Sequence, residues 1–217
     1  MNYTLIILGI ILILVLYVLY RFVYDRQTMV SNKQYLADNP PDKSFEDLAN
    51  PESSRYSYNL WIYANTISGA EKIFAIDQTK FKLEITNTGN LQFDISGNTS
   101  NVTSNYPLQK WVCVSISVDN NIVDSYLDGK LVKSQKIDIS TNKPDKNSKI
   151  SLGKGDKTGD IYIAEFERLP YPIDPQTAWD RYMAGNGGSY ISNAFAAYGA
   201  NLILTKDQVD MKKYALF

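Results

Sequence analysis

The stretch that most constrains the fold is Leu108–Lys136, because it has the pattern of consecutive β-strands joined by tight turns. In Trp111–Val118 valine or isoleucine occupies every second position, alternating with Cys113 and two serines. A period of two places one face of a strand in a core and the other toward water. Asp128-Gly129 then separates two β-rich runs, which is typical of a type I′ hairpin because both central residues must accept a positive φ. The sequence predicts an antiparallel sheet here.

Short strands are predicted on both sides of this stretch. They are Tyr56–Ala64, Lys72–Asp77, Phe81–Thr86, Leu91–Ser96, Lys149–Leu152 and Asp160–Arg168. Strands at intervals of about ten residues, with no helix between them, favour an antiparallel sandwich. One helix is expected after them, with Asp174 as N-cap, Pro175 at the first position and Gly185 beyond its end. The predicted fold is therefore an all-β sandwich with one short C-terminal helix.

The N-terminus has a different character. Tyr3–Tyr20 carries no charge, and only Thr4 and Gly9 interrupt its apolar run. As a helix it would extend about 27 Å, close to the hydrocarbon thickness of a bilayer. A cleaved signal peptide fits poorly, because no basic region precedes the run and no small-residue cleavage site follows it. Residues 1–24 are predicted to form a single transmembrane anchor.

The orientation of this anchor follows from its flanking charges. Arg21, Arg26 and Lys33 follow the apolar run, whereas only the α-amino group precedes it. The positive-inside rule then places the C-terminal bulk on the cytosolic side. The single cysteine, Cys113, agrees with a reducing compartment. The expected localisation is a single-pass membrane protein with its domain on the cytosolic side.

Three further regions are expected after the anchor. Residues 25–55 are polar and contain prolines, which predicts a stalk. Residues 56–187 contain the predicted strands and helix. Residues 188–217 form an apolar tail, and we expect Asn201–Leu204 to dock on the domain. The end of the tail is left as a partner-binding candidate, formed by Tyr214, Leu216 and Phe217.

Composition excludes several kinds of site. The chain has no histidine and one cysteine, which removes imidazole bases, Ser-His and Cys-His pairs and cysteine-based zinc sites. Its 22 basic and 23 acidic residues give no basic excess for a nucleic-acid partner. No catalytic, metal or cofactor-binding residue is predicted. Calcium is the alternative left open, since loop carboxylates could supply oxygen ligands. The candidates are Asp77, Asp94, Asp119 and Asp156.

The order of several segments along the chain is characteristic of a known family. They are SYNLWIY, KIFAI, FKLEITNTGNLQF, LQKWVCVSISVDNNIVDSYLDGKLVKSQ, KISLG and GDIYIAEFERLPYPIDPQTAWDRYMAG. Together they resemble the laminin G-like branch of the concanavalin A-like lectin/glucanase superfamily, over about Tyr56–Gly187. The most specific part is the Trp111 segment followed by Tyr126–Leu131. This resemblance implies a jelly-roll sandwich of two antiparallel sheets.

The resemblance leaves the function open, since this fold includes lectins, glycosidases, adhesion modules and structural proteins. The related glycosidases use a Glu-x-Asp-x-x-Glu strand, in which two carboxyl groups flank the scissile bond. Here Glu165 and Glu167 are expected on one strand face, but no aspartate lies between them. We therefore expect no enzymatic activity. Trp111 is expected to be a core or sheet-edge anchor, not a sugar platform.

The leading hypothesis is a membrane-anchored structural or interaction protein. A chain rich in Asn, Lys, Ile and Tyr, with a cytosolic-side laminin G-like domain, looks like proteins of large DNA viruses. That resemblance implies a minor capsid or virion membrane protein that links an internal membrane to a capsid shell. Its partners would be the bilayer, through residues 3–20, and other structural or capsid proteins. The alternative is a surface carbohydrate-binding module, and a membrane-tethered glycosidase is less favoured.

Overall fold

The computed structural model describes residues 3–77, 79–137, 144–153, 159–186, 201–206 and 209–215. Two antiparallel sheets pack face to face around one core. Two α-helices accompany them, α1 (Tyr3–Thr28) before the sandwich and α2 (Pro175–Ala184) after its last strand. A single 3₁₀ turn, Leu36–Asp38, lies in the N-terminal segment of the described chain. The predicted all-β antiparallel sandwich with a short C-terminal helix is confirmed.

The larger sheet has seven strands in the order β1-β13-β4-β9-β10-β11, with β2 also paired to β13. These strands are β1 (Met29–Ser31), β2 (Gln34–Tyr35), β4 (Arg55–Ala64), β9 (Trp111–Asp119), β10 (Ile122–Leu127), β11 (Lys130–Lys136) and β13 (Ile161–Leu169). The smaller sheet has the order β3-β12-β5-β6-β7-β8. Its strands are β3 (Lys43–Ser44), β5 (Glu71–Ile76), β6 (Phe81–Ile85), β7 (Leu91–Ile95), β8 (Asn98–Thr103) and β12 (Lys149–Leu152).

The stretch with the strongest sequence pattern forms β9, β10 and β11. The inward side chains of β9 alternate as predicted, and Val114 and Ile116 are fully buried. Asp128 and Gly129 join β10 to β11 with φ angles of 47° and 74°, as a type I′ turn requires. The predicted hairpin is confirmed.

Residues 25–55 differ from the predicted stalk. Strands β1 and β2 pair with β13, and β3 pairs with β12. Val30, Leu36 and Phe45 are buried in the core. Single apolar residues among polar neighbours give this segment the composition of a linker, but each one fills a core position. The sandwich therefore begins near Met29, not near Tyr56.

Arg168 fixes this segment to the sandwich. Its side chain is 1% exposed, and its guanidinium donates to the backbone carbonyls of residues 49–51 over 2.9–3.3 Å. The ring centroids of Phe45 and Tyr56 lie 5.3 and 5.5 Å from the guanidinium carbon. Hydrogen bonds from a charged donor are about twice as strong as neutral ones, and cation–π contacts add to them. A buried cation therefore holds the N-terminal segment in place.

Helix α1 forms where the sequence predicts a helix, and β1 follows it without an intervening residue. The Tyr24 hydroxyl lies 2.9 Å from that of Tyr171, and the Ala49 amide donates to the Gln27 carbonyl over 3.0 Å. The end of α1 is thus bonded to the sandwich. Among the residues whose side chains are described, no helix is both long and apolar enough to cross a membrane.

Helix α2 has the predicted ends. The Asp174 carboxylate accepts a hydrogen bond from the Thr177 amide over 2.7 Å, and Gly185 follows the last residue with φ 81°. The helix lies across the outer face of the larger sheet, where a Cβ on Gly129 would be 2.9 Å from the Trp179 Cα. Glycine is required at this turn for its φ and for this close approach.

In the tail, β14 (Asn201–Lys206) and β15 (Val209–Ala215) pair with each other in a separate two-stranded sheet. Neither strand joins a described strand of the two larger sheets, and the docking of Asn201–Leu204 on the domain stays a prediction. The backbone of Tyr214 lies in β15, whereas Leu216 and Phe217 lie outside the described residues. Partner binding through these three residues stays a prediction.

Candidate functional site

Four aromatic side chains form a row across the outer face of the larger sheet. Tyr162 on β13 is directly opposite Tyr35 on β2 and Tyr63 on β4, and Tyr63 is in turn opposite Trp111 on β9. Each of four neighbouring strands thus contributes one ring. We call this row the aromatic ladder, and it extends about 14 Å if each interstrand spacing is about 4.8 Å.

The rings of the ladder contact one another in sequence. The centroids of Tyr35 and Tyr162 are 4.6 Å apart, those of Tyr162 and Tyr63 6.3 Å, and those of Tyr63 and Trp111 5.6 Å. All four side chains are half-buried. Ring pairs at these separations attract each other beyond their buried area. The ladder is therefore an ordered and partly exposed apolar surface.

The row beside the ladder shows why these four rings are accessible. Ala164, Trp61 and Cys113 are opposite one another on β13, β4 and β9. Helix α2 covers them, and the Tyr182 ring stacks on Trp61 at 5.7 Å. Trp61 is consequently 7% exposed. The helix thus buries one row of the outer face, and the adjacent ladder keeps its partial exposure.

Charged groups lie at both ends of the ladder. The Lys33 ammonium is 5.8 Å from the Trp111 ring centroid, a cation–π distance. At the other end, desolvation and the neighbouring Asp160 carboxylate raise the pKa of Tyr35 and of Tyr162. Asp160 also accepts a hydrogen bond from the Asn65 side chain over 2.8 Å. The phenols therefore stay neutral and able to donate hydrogen bonds, with polar groups at each edge of an apolar row.

The two glutamates weighed as glycosidase residues lie on β13, next to this surface. The strand is bulged between Ala164 and Glu167, and Glu165 within the bulge has φ 48°. The Glu167 carboxylate forms an ion pair with Arg181 of α2. The bulge interrupts the simple alternation on which their predicted arrangement depended.

The carboxylates considered for calcium are engaged by side chains of their own surroundings. They are Asp77 with Lys80 (2.9 Å), Asp119 with Arg55 (2.8 Å) and Asp94 with the Thr99 hydroxyl (2.8 Å). Asp156 lies outside the described residues. Within the described part of the chain, no three acidic or cysteine side chains are grouped in a way that could hold a metal ion.

The sequence model described as "Concanavalin A-like lectin/glucanases superfamily" matches residues 40–166, which is more than half of the chain. The chain belongs to this superfamily. The resemblance to the concanavalin A-like superfamily found in the sequence is thus confirmed. The match begins at residue 40, within the segment predicted as a stalk, and so includes β3, which pairs with β12. No curated protein sequence matches the chain.

Solved structures with the concanavalin A-like jelly roll include botulinum neurotoxin binding domains. The serotype D binding domain superposes with a TM-score of 0.57 at 17% identity, over 72% of this chain and 44% of that one. The serotype D domain in complex with N-acetylneuraminic acid gives 0.56 at 16% identity, over 72% and 43%. The DC binding domain in complex with rat synaptotagmin II gives 0.50 at 16%, over 62% and 37%. This chain spans less than half of each domain, and the likeness shows the fold alone.

Sequence reasoning missed the ladder. It assigned Tyr35 to a stalk and Trp111 to the core or a sheet edge. The available signal was the outward positions of two predicted strands, where Tyr63 and Tyr162 stand in place of polar residues. Their meeting with Tyr35 and Trp111 depends on strand register, which the sequence pattern does not fix.

Proposed function

We propose that this chain is a non-enzymatic, membrane-anchored interaction protein that holds its sandwich in a fixed orientation beside a bilayer. The observation that supports this most is the direct junction of α1 and β1, closed by the hydrogen bonds at Tyr24 and Gln27. A flexible linker would let the domain reorient freely. A bonded junction instead presents one surface of the domain in one direction, as a structural bridge requires.

The apolar surface of α1 supports the membrane anchor. The large apolar side chains from Ile6 to Tyr20 are 43–69% exposed, and they surround the helix on all sides. A helix that is apolar all round needs an apolar environment, either a protein core or lipid. In the sequence the uncharged run Tyr3–Tyr20 also includes residues 3–5, whose side chains the structure does not describe, and over its full length it is long enough for lipid to be that environment. By the positive-inside rule, the basic residues after it favour the cytosolic side for the sandwich.

The aromatic ladder is the surface we propose for contact with a partner protein. Interfaces are enriched in tyrosine and tryptophan, whose large rings lose little conformational entropy on binding. In a virion, such a protein would link an internal membrane to the capsid shell, as a minor capsid protein. This setting rests on the composition, the orientation of the anchor and the resemblance to proteins of large DNA viruses.

Crosslinking on intact membranes or particles tests this function. We expect the chain to remain in the membrane after carbonate washing, and a lysine-reactive reagent to join Lys33 and Lys110, beside the ladder, to a neighbouring protein. Lys82 on the opposite sheet is the internal control and should give fewer such crosslinks. Release of the chain by carbonate would contradict membrane anchoring. Equal crosslinking at all three lysines would contradict partner binding at the aromatic ladder.

A second candidate is carbohydrate binding at the same ladder. A pyranose ring has C–H groups on its faces and hydroxyls at its edge, so it can pack on aromatic rings while polar groups bind its hydroxyls. The row of rings between Lys33 and Asp160 has these features. The serotype D toxin domain in complex with N-acetylneuraminic acid shares the fold, which supports this candidate. It requires the domain to face away from the cytosol.

A glycan array with the detergent-purified full chain tests the second candidate. Binding should be lost in Tyr63→Ala and Trp111→Ala and kept in Val132→Ala, which shortens an exposed apolar side chain on β11 outside the ladder. A blank array with the wild-type chain would exclude carbohydrate as the ligand class.

A further inference from the structure

A cavity of about 610 Å³ lies at the junction between α1 and the sandwich. Its apolar part includes Val30 and Leu48, which are almost fully buried, and Val23 on α1, which is exposed. One wall is therefore the helix proposed as the anchor, and another is the core-facing N-terminal segment. The cavity belongs to neither the aromatic ladder nor the region covered by α2.

The polar lining of the cavity carries both signs of charge. Lys43 on β3 supplies an ammonium, and Asp47 in the following turn supplies a carboxylate. Ser44 and Gln27 add a hydroxyl and an amide. All four side chains are exposed, so their polar groups are accessible to solvent. The apolar lining residues Val30 and Leu48 lie deeper in the cavity wall. The lining therefore suits an amphiphile with one anionic and one cationic group.

The depth of the cavity along α1 is the second observation. Val23 and Gln27 lie three and seven residues beyond Tyr20, which is about 4.5 and 10 Å further along the helix axis. The polar layer of each leaflet is about 5–8 Å thick beyond the hydrocarbon region. If Tyr3–Tyr20 spans the hydrocarbon, the cavity lies at the level of the lipid headgroups.

We propose that this cavity binds the headgroup of a phospholipid that carries both a phosphate and a primary amine. This inference rests on the membrane anchoring proposed above. The Lys43 ammonium pairs with the phosphate, and the Asp47 carboxylate accepts hydrogen bonds from the amine. The acyl chains then follow the apolar surface of α1 into the bilayer. A quaternary amine has no N–H to donate, and a glycerol headgroup has no cation for Asp47.

Reconstitution of the full chain into vesicles with equal amounts of phosphatidylethanolamine, phosphatidylcholine and phosphatidylglycerol tests the site. Mild detergent extraction followed by native mass spectrometry counts the retained lipids. We expect phosphatidylethanolamine to be retained about tenfold over each of the others, the ratio that one charge-assisted hydrogen bond supplies. Asp47→Ala removes the partner of the amine and should lower that ratio about tenfold. Lys43→Ala removes the partner of the phosphate, which all three lipids carry, so it should lower the retention of each lipid about tenfold and leave the ratio unchanged. The matched exposed controls, Lys130→Ala and Glu46→Ala, should change neither the ratio nor the retention.

Carbonate extraction of the same vesicles separates the two proposals. Equal retention of the three lipids by a carbonate-resistant chain would overturn the headgroup site and leave the anchor. Loss of the chain to the carbonate supernatant would overturn both. Free phosphoethanolamine, added to chain in phosphatidylcholine vesicles, distinguishes the source of the ligand. Binding of this soluble compound as tightly as the lipid would show a small-molecule site instead of a lipid site.

Discussion

Tyr35 and Tyr162 lie directly opposite each other on β2 and β13, and their rings stack with a centroid distance of 4.6 Å and a tilt of 22°. One ring comes from the segment that follows α1, and the other from the last strand of the sandwich. The contact thus joins the two ends of the fold at the aromatic ladder. Any ligand of the ladder would touch a surface that is continuous with the anchor segment.

A double-mutant cycle measures the coupling of these two rings. Tyr35→Ala, Tyr162→Ala and the double variant should give a coupling free energy of about 0.5–1.5 kcal/mol, as for other aromatic pairs. Urea unfolding in detergent, followed by tryptophan fluorescence, supplies the free energies. Tyr162→Phe keeps the ring and should preserve most of the coupling. Additive losses within about 0.3 kcal/mol would show that the rings do not support each other.

Arg168→Ala should lower the free energy of unfolding by about 3–5 kcal/mol, because it opens a cavity and leaves the carbonyls of residues 49–51 without their charged donor. The matched control is Arg55→Ala. That arginine forms an exposed ion pair with Asp119, and its removal should cost about 0–1 kcal/mol. Similar urea midpoints for the two variants would contradict the role given to the buried cation.

Gly129→Ala should cost about 2–4 kcal/mol, from its positive φ and from the contact of the new Cβ with α2. Gly89→Ala measures the cost of the positive φ alone. Gly89 has φ 79° and no atom near a built Cβ, so its substitution should cost about 1–2 kcal/mol. The difference between the two variants in thermal unfolding reports the packing of the hairpin on α2. Equal losses of unfolding free energy in the two variants would show that α2 accommodates the new Cβ at no energetic cost.

The free energy of unfolding should fall as the pH rises from about 9 to about 12. Burial raises the pKa of the Cys113 thiol from its ordinary 9.0 to about 12, and desolvation raises the pKa of Tyr58 from 10.0 to about 12. In this range the unfolded chain binds fewer protons than the folded chain, so alkali favours unfolding. Below about pH 8 both groups are almost entirely neutral in both states and contribute almost no slope.

Urea midpoints at about pH 8 and pH 11 check this dependence, and Cys113→Ala should remove about 1 kcal/mol per pH unit of the slope. The native chain should also resist thiol reagents at about pH 8, since the nucleophile is the thiolate. Rapid labelling of Cys113 without unfolding would contradict its burial.

Local pattern was sufficient for the elements that depend on local rules. The hairpin at Asp128-Gly129 and the ends of α2 follow from the φ that a turn demands and from a side chain that caps a helix. Alternation likewise identified β9 and its inward face. These features are set by residues close together in the chain, so their sequence is informative.

The boundary of the domain could not be obtained in this way. Residues 25–55 have the composition of a linker, and Leu36 and Phe45 are single apolar residues with no periodic partners nearby. Their burial becomes apparent only in the folded chain, where β13 and β12 offer edges for strand pairing and the core accepts the two side chains. The burial of Arg168 could not be predicted from the sequence either, since a charged residue at a strand end is usually solvated.

The sequence by itself determined an antiparallel sandwich, an apolar N-terminal helix and the absence of histidine chemistry, and its resemblance to the concanavalin A-like superfamily implied the jelly roll. Alternation, turn geometry and composition act over a few residues, so one chain is enough to infer them. Only the tertiary structure decided that Tyr35, Tyr162, Tyr63 and Trp111 share one row and that the segment after α1 belongs to the sandwich. Both depend on the register and edge pairing of strands far apart in the chain, where a shift of one residue would turn each side chain to the opposite face.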